Sequence, residues 1–301
     1  MSCVLSVIDL ILAPMIKANF MKCAVLTIIQ ALIVLSLFGQ SQSSNNNALC
    51  IEYTFSHLTD TVNTSKVVTG KYCLSLLGTQ TSYIATSTKT TDSLMTKMMD
   101  DPSGFTSLEQ SFLQNSMAQK GTTERFYADL SNKKIAYFIP WVTGKIAIYY
   151  TLPEFDWQLT DSSKDIIGVR CTKATGYWKG RHYTAWYAPS IPSSAGPWKA
   201  NGLPGLILSM YDSKNDVQWH AVQLYTPNIT PDVSIPPKTE VVTKEQFEKM
   251  KQDFIKDPQG TMNTVNAANA ANGNNSTTTI TIKGDGKLRP KPPINNPIEL
   301  P

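Results

Sequence analysis

The chain has 301 residues, of which 42% are hydrophobic and 17% charged, and its formal net charge is +4. That balance is ordinary for a globular domain, and no run of Lys and Arg forms the basic stripe that nucleic acid needs, so nucleic acid is excluded as a partner. Chain order then shows which parts build a core.

Two start points precede the body. From Met21 the chain reads as a signal peptide: Lys22 gives a short positive region, Ala24 to Phe38 an apolar run, and Gly39 and Ser41 the small residues of a cleavage site. The apolar run has 15 residues, short of the roughly 20 that a membrane-spanning helix needs. Export to the periplasm or beyond the cell is therefore expected, with membrane contact only through the cleaved peptide. Residues 1–43 form an N-terminal extension plus signal peptide, 44–258 a single domain, and 259–301 a low-complexity tail rich first in Asn, Ala and Thr and then in Pro. Within that tail Thr277 to Lys283 alternates like a strand.

The body reads mainly as strands. Ile51, Tyr53 and Phe55 alternate with polar neighbours, the period of a half-buried strand. Lys66–Leu77 and Thr81–Ser87 flank a turn at Leu77–Gln80, and Thr123–Leu130 and Lys134–Pro140 flank one at Ser131–Lys133. Lys145–Thr151 and Phe155–Thr160 are short aromatic-rich runs. Asp165–Trp178 meets Arg181–Tyr187 across Lys179-Gly180, and Gly205–Tyr211 meets Val217–Tyr225 across a turn bounded by Asp212 and Asp216. Helices are predicted over Thr91–Asp100, Ser107–Gln119 and Thr243–Lys256, the last with a capping box of Thr243 and Gln246 and an apolar face of Phe247, Met250 and Phe254. Sequential strands with short turns imply a mainly β, β-rich α+β domain: a large antiparallel meander or open half-barrel with two or three covering helices.

Besides Trp157 at its start, four of the six tryptophans, Trp178, Trp186, Trp198 and Trp219, fall in or just beyond residues 157–212. That segment contains Gly202-Leu203-Pro204-Gly205-Leu206-Ile207, a proline-fixed turn that launches a buried strand. With Ile167-Gly168, Cys171, Lys173-Ala174, Gly180-Arg181, Ala185-Trp186-Tyr187 and Gly196-Pro197-Trp198 in the same order, and the ending Asn296-Pro297-Ile298-Glu299-Leu300, the chain resembles the GLPGLI family of Bacteroidetes-type secreted proteins. The family name records a motif, not an activity. The family is also similar to the accessory N-terminal domain of some bacterial peptide-N-glycanases, which implies glycan or glycoprotein contact without catalysis.

Trp178, Arg181, Tyr183, Trp186 and Trp198 are the candidate ligand contacts, because aromatic side chains at this density line sugar or lipid grooves; the competing reading is that they fill the core of the sheet. The expected partner is an apolar or glycan ligand or another envelope protein. A second reading is a secreted hydrolase that uses Arg181, His182 and a carboxylate among Glu154, Asp156, Asp161 and Asp165, and a third is a structural part of a surface assembly. No metal-ligand spacing, GxSxG elbow, phosphate loop or dinucleotide fingerprint is present, so neither metal nor cofactor is expected. Asp212 and Asp216 read as ordinary turn residues. Cys50, Cys73 and Cys171 allow either one disulfide and a free thiol or three buried thiols.

Overall fold

The computed structural model describes residues 48–100, 106, 125–142, 144–271 and 294–300. The signal peptide expected from Met21, the helix expected over Ser107–Gln119 and the strand expected over Thr277–Lys283 lie outside them. The elements in chain order are β1 (Leu49–Leu58), β2 (Val67–Leu77), β3 (Gln80–Ala85), α1 (Thr86–Asp100), β4 (Arg125–Asp129), β5 (Lys134–Trp141), β6 (Gly144–Thr151), β7 (Gln158–Ile166), β8 (Val169–Trp178), β9 (Arg181–Ala188), β10 (Leu206–Asp212), β11 (Val217–Tyr225), β12 (Thr239–Val241), α2 (Lys244–Lys256) and α3 (Pro258–Ala271).

All twelve strands join one open sheet in the order β12-β6-β5-β4-β3-β2-β1-β11-β10-β9-β8-β7. The fold is thus the β-rich α+β class that the strand pattern implies. Every pairing is antiparallel except that of β12 with β6, which is parallel. The chain returns to the sheet edge there after crossing the outer face, a long-range step that no local turn signal announces.

The structure departs from the sequence expectation in several stretches: α1 begins at Thr86 rather than Thr91, β7 covers Gln158–Ile166 rather than Phe155–Thr160, and two further differences change the layout. Asp165–Trp178 is not one strand but the end of β7 and all of β8, joined by Ile167 at φ 46° and Gly168 at φ 80°. Two consecutive left-handed residues make a tight hairpin whose twist suits the strands, and Ile167 gives no compositional warning because β-branched residues avoid that conformation. The low-complexity tail is also structured at both ends of its span: α3 covers Pro258–Ala271, and residues 294–300 pack onto the sheet. At α2, by contrast, the expected capping box forms: Thr243 Oγ1 accepts from Gln246 N at 3.2 Å and Gln246 Oε1 accepts from Thr243 N at 2.7 Å. Phe247 and Phe254 then pack edge-on against Trp141.

Register assigns the two faces. Tyr53 lies opposite Tyr72, Tyr83 opposite Phe126, and Phe126 opposite Tyr137, so large rings stand side by side on the inner face. The ring contacts run Trp157, Phe155, Trp178, Trp198, Trp219, Phe55, Tyr72, Tyr83, with centroid separations of 4.7 to 5.7 Å. Burying each such side chain contributes about 1.5–3 kcal/mol, so this row is the main source of cohesion. The outer face carries Cys50, Cys73, Ser75, Ile84, Tyr127 and Phe138, and the segment before β12 reaches it through the Ser82 hydroxyl, which donates to Asp232 O at 3.0 Å.

Candidate functional site

The β9–β10 connection folds back over the inner face and carries Trp198 in a left-handed conformation, φ 57°. A bulky residue stays there only when its surroundings over-determine it. Here Trp198 stacks on Trp219 at 5.7 Å and meets Trp178 edge-on at 5.4 Å. The next residue, Lys199, extends beside the Trp198, Phe126 and Tyr150 rings, with Nζ 5.0, 5.6 and 5.8 Å from their centroids. Nζ also forms a short ion pair with Glu299.

Beside this lysine is a cleft of about 510 Å³, a volume in the range of small-ligand sites. Phe55, Phe126, Tyr137 and Trp198 supply its aromatic surface, Tyr150 and Val68 its partly open rim, and Ile294, Ile298 and Glu299 one wall. His57 is the buried imidazole in the lining. Its Nε2–H donates to Asn296 O at 2.7 Å, and burial pushes its pKa below the ordinary value. The ring is therefore a neutral donor, and Lys199 with Glu299 forms the charged part of the lining.

The wall is the C-terminal run, held by a buried cation. Arg181, with its side chain 3% exposed, pairs through Nη1 with Asp212 Oδ2 at 2.5 Å. Its remaining donors go to the tail: Nε to Ile298 O at 3.0 Å, and Nη2 to Asn296 Oδ1 at 2.5 Å and Pro297 O at 2.7 Å. Asn296 Nδ2 donates onward to Leu58 O at 2.6 Å and Asp216 Oδ2 at 3.1 Å, while Leu300 N donates to Lys179 O at 3.1 Å. Gly180 lies beneath Leu300, where a Cβ would meet Leu300 Cβ at 2.7 Å. A buried guanidinium is tolerated only with its donors met, and the tail meets three of these contacts.

The sequence-predicted residues separate. Trp198 lines the cleft. Trp178 packs against Trp198 and Phe155 without lining it, and Tyr183 is fully buried beneath Phe155. Arg181 holds the tail. Trp186 stands on the opposite face from Arg181 and Tyr183 because side chains alternate along β9, and it packs under Lys164 at 4.3 Å with Nε1 3.5 Å from the Tyr211 hydroxyl. His182, also on that outer side, is exposed against Tyr177, so it does not converge with Arg181. Glu154, Asp156, Asp161 and Asp165 are all exposed, Glu154 paired with Lys133 and Asp165 with Arg170.

The hexapeptide is scaffold. Leu203, Leu206 and Ile207 are buried, Trp157 Nε1 donates to Asn201 O at 2.8 Å just before it, and the buried Tyr53 hydroxyl donates to Ile207 O at 2.6 Å. A Cβ on Gly205 would lie 2.4 Å from Ala188 O. Asp212 is more than a turn residue: Oδ1 accepts from Val217 N at 3.1 Å while Oδ2 faces Arg181. Cys50, Cys73 and Cys171 are buried free thiols.

Sequence reasoning missed Phe55, His57, Phe126, Tyr137, Tyr150 and Lys199. The alternation through Phe55 and His57 was the available signal; the rest come together only through sheet order. It also missed Ser209 Oγ at 2.9 Å from His220 Nδ1 on the outer face, where Gln218 rather than a carboxylate faces Nε2 at 3.2 Å.

A family model described as a protein of unknown function (Porph_ging) matches residues 177–209, a stretch that runs from the end of β8 into β10 and includes Gly202–Ile207. No curated protein matches the chain. Among solved structures it is similar to PNGF-II in the C2 space group, with 13% identity over 67% of this chain and 32% of that one, at a TM-score of 0.48. The P21 form of PNGF-II gives 13% identity over 68% and 33%, again at 0.48. The chain thus spans about a third of the length of that protein.

Proposed function

We propose that this chain is an exported envelope protein of the GLPGLI family that binds an apolar or glycan ligand without transforming it, in the cleft between the inner sheet face and the C-terminal run. The observation that carries the reading is the lining of that cleft: Phe55, Phe126, Tyr137, Tyr150 and Trp198 around about 510 Å³, with Lys199 and Glu299 as the charged pair. Ring faces bind hydrocarbon by burial and sugars by stacking, and one ion pair at the edge orients an amphipathic molecule. The signal-peptide pattern from Met21 supports export, and the hexapeptide inside the matched stretch 177–209 supports the family.

Native mass spectrometry of the gently purified full chain tests the reading. A discrete additional mass is expected, in hexose steps for a glycan or in the range of a single lipid for an apolar ligand. Tyr150→Ala should abolish it while costing less than about 1 kcal/mol of stability, because Tyr150 is 38% exposed. A bare apo mass, with no response of tryptophan fluorescence to a fatty acid or to a chito-oligosaccharide, overturns the proposal.

A further inference from the structure

The outer face holds a second group of reactive side chains, remote in chemistry from the cleft. Cys50 on β1 lies opposite Ser75 on β2, and Cys73 lies opposite Glu52, so the two cysteines are diagonal neighbours on adjacent antiparallel strands. Their sulfurs converge on one hydroxyl: Cys50 Sγ is 3.5 Å and Cys73 Sγ 3.6 Å from Ser75 Oγ. Lys89, one turn into α1, reaches down with Nζ 3.4 Å from Cys73 Sγ and 3.1 Å from Ser75 Oγ. The two thiols are therefore not equivalent, because the ammonium stands at Cys73.

We propose that Cys73 and Cys50 are a peroxide-sensitive thiol pair in which Cys73 is oxidised first and Cys50 resolves it to a cross-strand disulfide. The Cys73 thiolate attacks one oxygen of hydrogen peroxide; the S–O bond forms as the O–O bond breaks, and hydroxide leaves to take up a proton as water. The Cys50 sulfur then attacks the Cys73 sulfenic acid, the S–S bond forms, and the sulfenic oxygen departs with the Cys50 proton as a second water. Two thiols and one peroxide become one disulfide and two waters, with sulfur oxidised and peroxide oxygen reduced. The small size of hydrogen peroxide suits a pair whose residues are 2% and 3% exposed.

The surroundings fix the order of events. The neighbouring Cys50 thiol and the charge on Lys89 hold the Cys73 thiol below the ordinary range, and the proximity of Cys73 raises that of Cys50. The other ionisable groups near the pair are Tyr225 on β11, Glu52 on β1, which lies opposite Cys73, and Tyr53 on the other face of β1. Cys50 is the second residue of β1, so closing the remaining gap moves one strand end rather than the middle of the sheet. Cys171 is buried alone on β8 and its thiol is pushed up to about 11, which makes it an internal control.

Peptide mapping of the full chain after a brief hydrogen peroxide pulse tests this. Trypsin cuts after Lys66 and Lys71 and so places Cys50 and Cys73 on separate peptides. The expected product is the Cys50 and Cys73 peptides cross-linked, with Cys171 still alkylated as a free thiol. In Cys50→Ser, dimedone should label Cys73; in Cys73→Ser, Cys50 should stay unlabelled. Lys89→Met should slow labelling of Cys73 about tenfold at neutral pH and Lys89→Arg should restore it, with the midpoint of reactivity in the wild type below the ~8.5 of an ordinary thiol. Oxidation of Cys171 at the same rate, labelling of Cys50 in preference to Cys73, or no cross-link in the folded wild type overturns the proposal.

Discussion

The hexapeptide Gly202–Ile207 and the C-terminal run Asn296–Leu300 meet opposite ends of the same strand. Leu206 pairs with Ala188 at the end of β9, and the run caps Arg181 at its beginning. The first contact is made of main-chain hydrogen bonds and buried aliphatic side chains; the second is made of side-chain donors around one buried cation. Apolar packing fails by degrees as atoms are removed, whereas a buried charge that loses one partner is left uncompensated at once. The end of β9 that reads as an unremarkable Gly-Arg pair should therefore be the more brittle one.

Asp212→Ala tests this most severely. It leaves the Arg181 guanidinium, whose side chain is 3% exposed, with only the longer ion pair to Asp216 at 3.8 Å, and a loss of about 3–5 kcal/mol is expected in urea denaturation. Arg181→Met combined with Asp212→Leu should recover a large part of that loss, because neither charge then remains buried. A single-variant loss under about 1 kcal/mol would mean that water reaches the guanidinium and that the two ends of β9 are alike.

Deleting residues 294–301 sharpens the contrast from the other side. Arg181 keeps Asp212 but loses its bonds to Asn296, Pro297 and Ile298, and the cleft loses the wall formed by Ile294, Ile298 and Glu299. A loss of about 2–3 kcal/mol is expected, less than for Asp212→Ala because the opened site admits water to the freed donors. At the hexapeptide end, Gly205→Ala pushes a methyl group against Ala188 O and should cost about 1–3 kcal/mol by displacing the β9–β10 junction. Thermal denaturation of the three proteins side by side gives the ranking directly, and a Gly205→Ala loss larger than that of Asp212→Ala would reverse it.

Strand positions and most turns were legible because they are local: the alternation of Ile51, Tyr53, Phe55 and His57, the Lys179-Gly180 turn and the Thr243–Gln246 capping box each depend on residues a few places apart. The candidate site was legible only at Trp198. The density of aromatic residues points to Trp178, Arg181, Tyr183, Trp186 and Trp198 as one surface, although the spacing of Arg181, Tyr183 and Trp186 along β9 already separates Trp186 from the other two. What sequence could not carry is the pairing of Arg181 with Asn296, 115 residues away, or the meeting of Phe55 on β1 with Tyr150 on β6 across the intervening strands. The Pro-rich composition of the tail argued for disorder because it buries little apolar surface. The docked run instead supplies polar acceptors to a cation that could not be buried without them.

The smallest expected effect is a pH dependence to which the C-terminal end contributes through His57. His57 donates to Asn296 O, and burial lowers its pKa from the ordinary 6.5. Above about pH 6.5 the ring is neutral in both folded and unfolded chains, and the full stability is present. As the pH falls from there toward the folded-state value, the unfolded chain takes up a proton that the folded chain refuses, so stability declines. The carboxylates of Asp60, held low by Lys66, and Asp129, held low by Ser131, stay ionised throughout a scan from pH 7.5 to 5.5 and add no slope there. The melting temperature should therefore drop across that scan. His57→Gln, which keeps a donor toward Asn296 O but does not titrate, should make the profile shallower. The His220 ring on the outer face is also held below the ordinary value, by burial and by Lys164, so His220→Gln should remove a separate part of the slope and leave the His57 part in place. A profile flattened by His220→Gln and not by His57→Gln would place the titrating contact outside the run that walls the cleft, and would remove the pH sensitivity that distinguishes one end of β9 from the other.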